Sequence, residues 1–153
     1  MTTTDDPTAI ERFLLQSLAR LQPSERKKLL KSLATELRRR NRQRMGKQVG
    51  PDGTPWVPRA RELGGTVRRI GRMMSGLKEV RRMSIRSTAD EARVGWGARN
   101  ARIAQVHQEG GPDRVSPRGP RITYVARPLL GLPPDDVQWV RHRLLDYFSG
   151  ELT

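Results

Sequence analysis

Cysteine is absent from the 153 residues, which excludes a disulfide framework and every thiolate metal site. Histidine is scarce: His107 and His142 are the two in the chain. No ligand-spaced cluster surrounds them, so no zinc site is expected. His107 reads instead as a residue packed or hydrogen-bonded where a helix meets a sheet. Aromatic residues make up 5% and all hydrophobics 35%. That composition predicts a modest core with extended segments around it, or a core completed by neighbouring subunits. No apolar run approaches the ~20 residues a spanning helix needs. The polar, acidic stretch Met1 to Pro7 does not read as a signal peptide, so no membrane partner is expected and the chain should be cytosolic where it is made.

Catalytic patterns are missing as well. Asp135-Asp136 is an adjacent acid pair at a helix start, and paired acid–base carboxylates need opposed positions across a cleft. Adjacent acids at a helix start read as capping groups. Gly50-x-x-Gly53 lacks the lysine and following helix of a phosphate loop. Gly95-x-Gly97 lacks the third glycine and later acid of a dinucleotide fingerprint. No nucleophile–base–orienter set is visible, so neither an enzyme nor a cofactor is expected.

What is present is helical patterning, short strands and positive charge. Thr8-x-x-Glu11 has capping-box spacing, with Asp6-Pro7 as an alternative start. Ile10, Phe13, Leu14, Leu18 and Leu21 then share one helical face. Pro23 breaks the run, and Ser24 is placed to cap a second helix. Its apolar stripe is Leu29, Leu30, Leu33, Ala34 and Leu37. The two stripes predict an antiparallel helical hairpin over 8–45. Past Leu37 the second helix carries Arg38, Arg39, Arg40, Arg42 and Arg44, read as solvated or partner-facing. Residues 46–83 read as a turn-rich loop holding Trp56, then a basic segment, Thr66 to Met83, compatible with a loose helix weakened by Gly71 and Gly76.

From Ser84 the pattern predicts strands at Ser84–Ser87 and Ala92–Trp96, a helix from Ala98 to Gln108 with Ile103, Val106 and His107 toward the core, and a Pro/Gly loop over Pro112–Pro120. A third strand follows at Arg121–Ala126. A last helix opens at Pro133-Pro134-Asp135-Asp136, its acids at the positive end of the dipole. The expected fold is α+β and a single domain over 1–153: a helical hairpin, a small antiparallel sheet packed by helices, and a C-terminal helix, with 84–149 as the core unit. Trp96 and Trp139 read as core or subunit-interface residues.

The net charge is +14, from 30 Lys and Arg against 16 Asp and Glu. It is regional. Arg26 to Arg44 holds nine cations and one acid, and Arg59 to Arg82 holds eight cations and two acids. Those stretches sum to the whole excess (+8 and +6), which implies a polyanionic or acidic neighbour, or a solvated face. One reading is therefore a nucleic-acid binder gripping phosphates without sequence preference. Against it, no reader module is recognisable, and one tryptophan near the basic runs is not a stacking platform.

A second reading comes from phrases in a fixed order: Asp52-Gly53-Thr54-Pro55-Trp56, then Val94-Gly95-Trp96, then Arg102-Ile103-Ala104-Gln105-Val106-His107-Gln108, then Tyr124-Val125-Ala126-Arg127-Pro128-Leu129-Leu130-Gly131-Leu132. In this order and spacing the chain resembles the tail completion (virion morphogenesis) proteins of contractile-tailed temperate phages, over about Thr8 to Leu145. Trp96, Ile103, His107, Leu129 and Leu130 carry the resemblance as structural residues. Two positions depart from the pattern: Glu109, where an aromatic or apolar residue is expected, and Trp96, where phenylalanine is usual.

The resemblance implies a non-enzymatic protein acting late in tail assembly, made in the host cytoplasm and ending in the virion neck. It implies a homo-hexameric ring between the tail terminator or tube and the head-side connector. The arginines of 38–44 or 68–82 would then line the DNA channel or meet acidic connector surfaces. Trp56, Arg59, Arg68, Arg69 and Arg72 are the expected contact residues, and 59–82 is expected to order on docking.

Overall fold

The computed structural model describes residues 7–58 and 71–150. The elements run α1 (Pro7–Arg20), α2 (Pro23–Lys47), β1 (Met83–Ser87), β2 (Ala92–Trp96), α3 (Ala98–Glu109), β3 (Gly111–Arg114), β4 (Arg121–Tyr124) and α4 (Pro134–Ser149). The α+β architecture is the expected one, and the first two helices form where the apolar stripes put them. Pro23 does not merely end α1. It occupies the first turn of α2, where its missing N–H costs nothing. The entry is fixed by the Gln22 N–H, which donates to Glu25 Oε2 at 2.9 Å, rather than by Ser24.

Helix α2 is the spine. At 25 residues it spans roughly 37 Å, and each half serves a different core. Its first half lays Leu29 and Leu33 against Leu14 of α1 and Leu144 of α4, with Leu18, Val140 and Phe148 packed around them. Its far end buries Met45 among Trp56, Leu77, Met83, Ala104 and Leu129. Burying such side chains removes apolar area from water at about 25 cal/mol per Å². Neither core is large, and α2 contributes to both.

The strands form two separate ribbons. β1 pairs antiparallel with β2, Met83 opposite Trp96 and Ser87 opposite Ala92. β3 pairs antiparallel with β4, Gly111 opposite Tyr124 and Arg114 opposite Arg121. The expected third strand therefore does not extend the first sheet. It folds back on residues read as loop, because Gly111 at φ 101° reverses the chain directly after α3. On β1–β2 the alternation places Met83, Ile85, Val94 and Trp96 on the side packed against α2, and Arg86 and Arg93 outward.

Residues 71–82 do not form the expected helix; they are a series of turns. Met74 sits at φ 60°, and donors from elsewhere take the carbonyls a helix would use. Gln48 Nε2 donates to Met73 O at 3.0 Å and Trp96 Nε1 to Leu77 O at 2.8 Å. Arg42 Nε donates to Lys78 O. The part of that expected helix before Gly71 lies outside the described residues.

Gly110 ends α3 at φ 73°, ψ −168°, a region essentially closed to other residues. A Cβ there would sit 2.8 Å from Ala126 N and 2.9 Å from Tyr124 O. Gly110→Ala is therefore expected to cost about 2 kcal/mol, read as a lower midpoint in thermal or urea unfolding.

Candidate functional site

The phrases carrying the resemblance meet at one place, around a strap of irregular chain from Ala126 to Pro133. The strap has no regular secondary structure, so its backbone polar groups must find partners elsewhere. Most come from side chains. Arg127 N donates to His107 O at 2.6 Å. Gln108 grips the next two residues: Leu129 N and Leu130 N donate to its Oε1 at 2.7 and 3.0 Å, and its Nε2 donates to Leu130 O at 3.0 Å. Gly131 N donates to Asn41 Oδ1 at 3.1 Å, while Asn41 Nδ2 donates to Leu37 O. Held this way, Leu129 is driven into the core and buried.

The Asp52-Gly53-Thr54-Pro55-Trp56 phrase is a tight reversal at the end of α2. Gln48 caps the helix in the left-handed region at φ 61°. Thr54 N and Oγ1 donate to the two carboxylate oxygens of Asp52, at 2.9 and 2.8 Å. Those bonds, the backbone one foremost, hold the Asp52 carboxyl below its usual range. Gly53 turns at φ 81°, and Trp56 N returns to Gln48 O at 2.8 Å. The turn drops the Trp56 ring into the core, 6% exposed, with Nε1 donating to Pro128 O at 3.0 Å. Arg127 closes the circuit from the strap, its Nε on Val57 O at 2.7 Å and its Nη2 on Pro58 O at 3.1 Å.

The arginine run of α2 has work inside the chain. Arg38 Nη1 donates to Met83 O at 3.0 Å. Arg40 and Arg44 converge on Asp136, at 3.2 Å to Oδ1 and 2.7 Å to Oδ2. Asp136 lies in the first turn of α4 and is 1% exposed. Arg40 also meets Glu36 at 3.0 Å and lies over the Trp139 ring, 4.7 Å from its centroid. Arg39 is the exposed member, paired with Glu36 at 2.6 Å. Its hydrogen bond is the main reason the Glu36 carboxyl sits below its ordinary value, with Arg40 adding to it.

The expected contact residues are thus dispersed. Arg38, Arg40, Arg42 and Arg44 tie α2 to other elements, and Trp56 is core. Arg72 is exposed, with Nη1 on Gly46 O at 2.7 Å. Arg59, Arg68 and Arg69 lie outside the described residues. Among the structural residues, His107 packs edge-on against Tyr124 at 5.4 Å, and Trp96 and Leu130 pack against the Met45 core. Ile103 departs from expectation: it is 39% exposed while Ala104 beside it is buried, because α3 turns its small residue, not its branched one, to the core.

Asp136, Asn41 and Gln108 are the positions whose roles the sequence reading missed. For Asn41 the visible signal was the four-residue spacing of Leu29, Leu33, Leu37, Asn41 and Met45.

Two shallow grooves open on the described surface. One, about 300 Å³, has Leu15, Leu18 and Leu30 as its apolar wall and the Arg26–Asp90 pair at its rim. The other, about 440 Å³, lies between Ile10, His142 and Leu145. Neither assembles a nucleophile with a base. Among the described residues no group of three or more His, Asp or Glu could hold a metal ion, and no helix is long and apolar enough to cross a membrane.

A strap pinned by side chains from three elements is scaffolding rather than chemistry, and two of its pinning residues, Trp56 and Gln108, belong to the ordered phrases. Residues 5–149 match the Phage virion morphogenesis family; the chain belongs to that family, whose members are structural proteins of phage assembly and not enzymes. Within it, the chain is 37% identical over 134 residues to the tail completion protein S of Escherichia phage P2, covering 84% of this chain and 88% of that protein. No solved structure matches it.

Proposed function

We propose that this chain completes the head-proximal end of a contractile phage tail and makes the finished tail competent to join a DNA-filled head. The likeness to tail completion protein S over 84% of the chain carries this reading. The working form is a homo-hexameric ring in the neck, between tail terminator or tube proteins and the head-side connector, closed by heterologous contacts. Exposed apolar residues such as Phe13, Leu15 and Leu132 suit a subunit whose core is completed by neighbours.

The competing reading is a binder of the phosphate backbone. Arg38, Arg40, Arg42 and Arg44 speak against it, since each donates to a group inside the chain and would have to release that partner to meet a phosphate.

Salt separates the two. Nuclease-treated tails and filled heads are co-sedimented with the protein, beside bare DNA, across a salt series. Retention on tails or heads that survives rising salt, at a stoichiometry in multiples of six, is the expected result. Binding to DNA alone, falling with a log–log slope of about −0.9 per phosphate, would overturn the assembly reading.

A further inference from the structure

We propose that the β3–β4 hairpin is a docking arm that carries the protein onto an acidic protein surface. No residue from 111 to 126 is buried, and none belongs to either core. What fixes the arm is local: the His107–Tyr124 ring contact and Arg102 Nη2 on Asp113 Oδ1 at 2.7 Å. Asp113, Ile122 and Tyr124 share the side of the ribbon turned to α3. Alternation puts Arg114 and Arg121 on the other side, directly opposite one another.

Like charges facing across a ribbon destabilise it. From Gly111 to Tyr124 there are three arginines, Arg114, Arg118 and Arg121, and one carboxylate, Asp113. That carboxylate is engaged by Arg102. The Arg114 N–H and the Arg102 guanidinium hold it below its ordinary value, with a smaller contribution from the charge of Arg121. Arg114 has a long 3.5 Å contact to Gly119 O. Among the described residues no ion pair involves Arg114, Arg118 or Arg121. An arm with this repulsion built in gains when an external anion meets it.

The arm also exposes Val115 at 57% and Val125 at 48%. Aliphatic residues among arginines suit the centre of a protein interface; a phosphate backbone would leave them in water. Two copies of this arm would set arginine against arginine, each on a chain carrying +14, so the subunit contacts of a ring are made elsewhere on the surface. The partner is therefore a different protein, acidic with apolar ground between its carboxylates. In the tail-completion reading, on which the choice of probe rests, it belongs to the tail end or the head-side connector.

The test uses Arg121→Glu and Arg114→Glu/Arg121→Glu in the full chain, with purified tails, filled heads and duplex DNA as probes. In Arg121→Glu the cross-strand pair becomes attractive, so hydrogen exchange in 111–124 should slow while the two cores exchange as in wild type. Binding to whichever particle the wild type binds should fall by about tenfold or more. Wild-type affinity in both variants overturns the arm alone. Loss of DNA retention with particle binding intact overturns it in favour of phosphate contact. A wild type that binds neither particle overturns the tail reading and the arm with it.

Discussion

Replacing Asp136 by alanine is expected to lower the unfolding free energy by about 3 kcal/mol and the thermal midpoint by roughly 6–12 °C for a chain of this size. The aspartate is 1% exposed and receives two guanidiniums, from Arg40 at 3.2 Å and Arg44 at 2.7 Å. Removing it leaves two cations with side-chain exposures of 26% and 18% facing a void, without the carboxylate that offset their desolvation. It also strips the first turn of α4 of a charge favourable to its dipole. Because those arginines keep some water, the cost belongs at the lower end of the range for broken buried pairs.

A control separates pairing from packing. Arg40→Met/Arg44→Met/Asp136→Leu removes all three charges and keeps the volume, and should recover most of the loss, since apolar replacement of a whole buried set is often neutral. Urea unfolding decides it. A single Asp136→Ala variant as stable as wild type would show that the cluster contributes nothing, and the arginine run would return to the pool of residues free for a partner.

That cluster marks where the sequence stopped being legible. The helices could be read from their stripes, because apolar residues every three to four positions have one stable arrangement, a face against a core. The β1–β2 ribbon could be read from alternation. Arg40 and Arg44 could not be assigned, since charge on a helix surface looks the same whether it faces water, a phosphate or an aspartate 92 residues away. The apolar spacing that ends at Leu37 resumes at Met45, with Asn41 between them. Asn41 breaks the hydrophobic pattern because it serves as donor to its own helix and acceptor for Gly131.

The same holds for the strap. A segment whose hydrogen bonds run to side chains of α2, α3 and the Trp56 loop has no periodicity to detect. Its phrase was recognisable by resemblance, yet the pairing of Gln108 with Leu129 and Leu130 is tertiary information. β3 was missed because Gly111-Pro112 reads as a breaker. In a free two-stranded ribbon a proline at an unpaired edge is tolerated.

Trp56 is the residue for which sequence and structure make opposed predictions. As a partner contact, its loss would spare the fold and abolish docking. As placed, 6% exposed in the Met45–Leu129 core, its loss should do the reverse. Trp56→Ala is expected to cost about 4 kcal/mol, because the ring fills the space beneath the strap and the turn after α2 exists to deliver it there. Trp56→Phe keeps most of the ring volume, removes the Nε1 donor and leaves a small gap where the second ring stood. Pro128 O is left without that bond, at a cost of about 1–2 kcal/mol.

The decisive comparison uses both variants at a temperature where Trp56→Phe is fully folded. Its tail binding, expressed per folded molecule, should equal wild type, while Trp56→Ala should unfold early and bind in proportion to its folded fraction. Docking lost in a Trp56→Phe protein with a near-native melt would show that the indole N–H reaches a partner after all, and would mean that Pro128 O gives it up on assembly. Retained docking would leave the tryptophan as the pin between the α2 turn and the strap. The partner-facing surface would then have to be built from residues outside the core, such as the arginines of the β3–β4 arm.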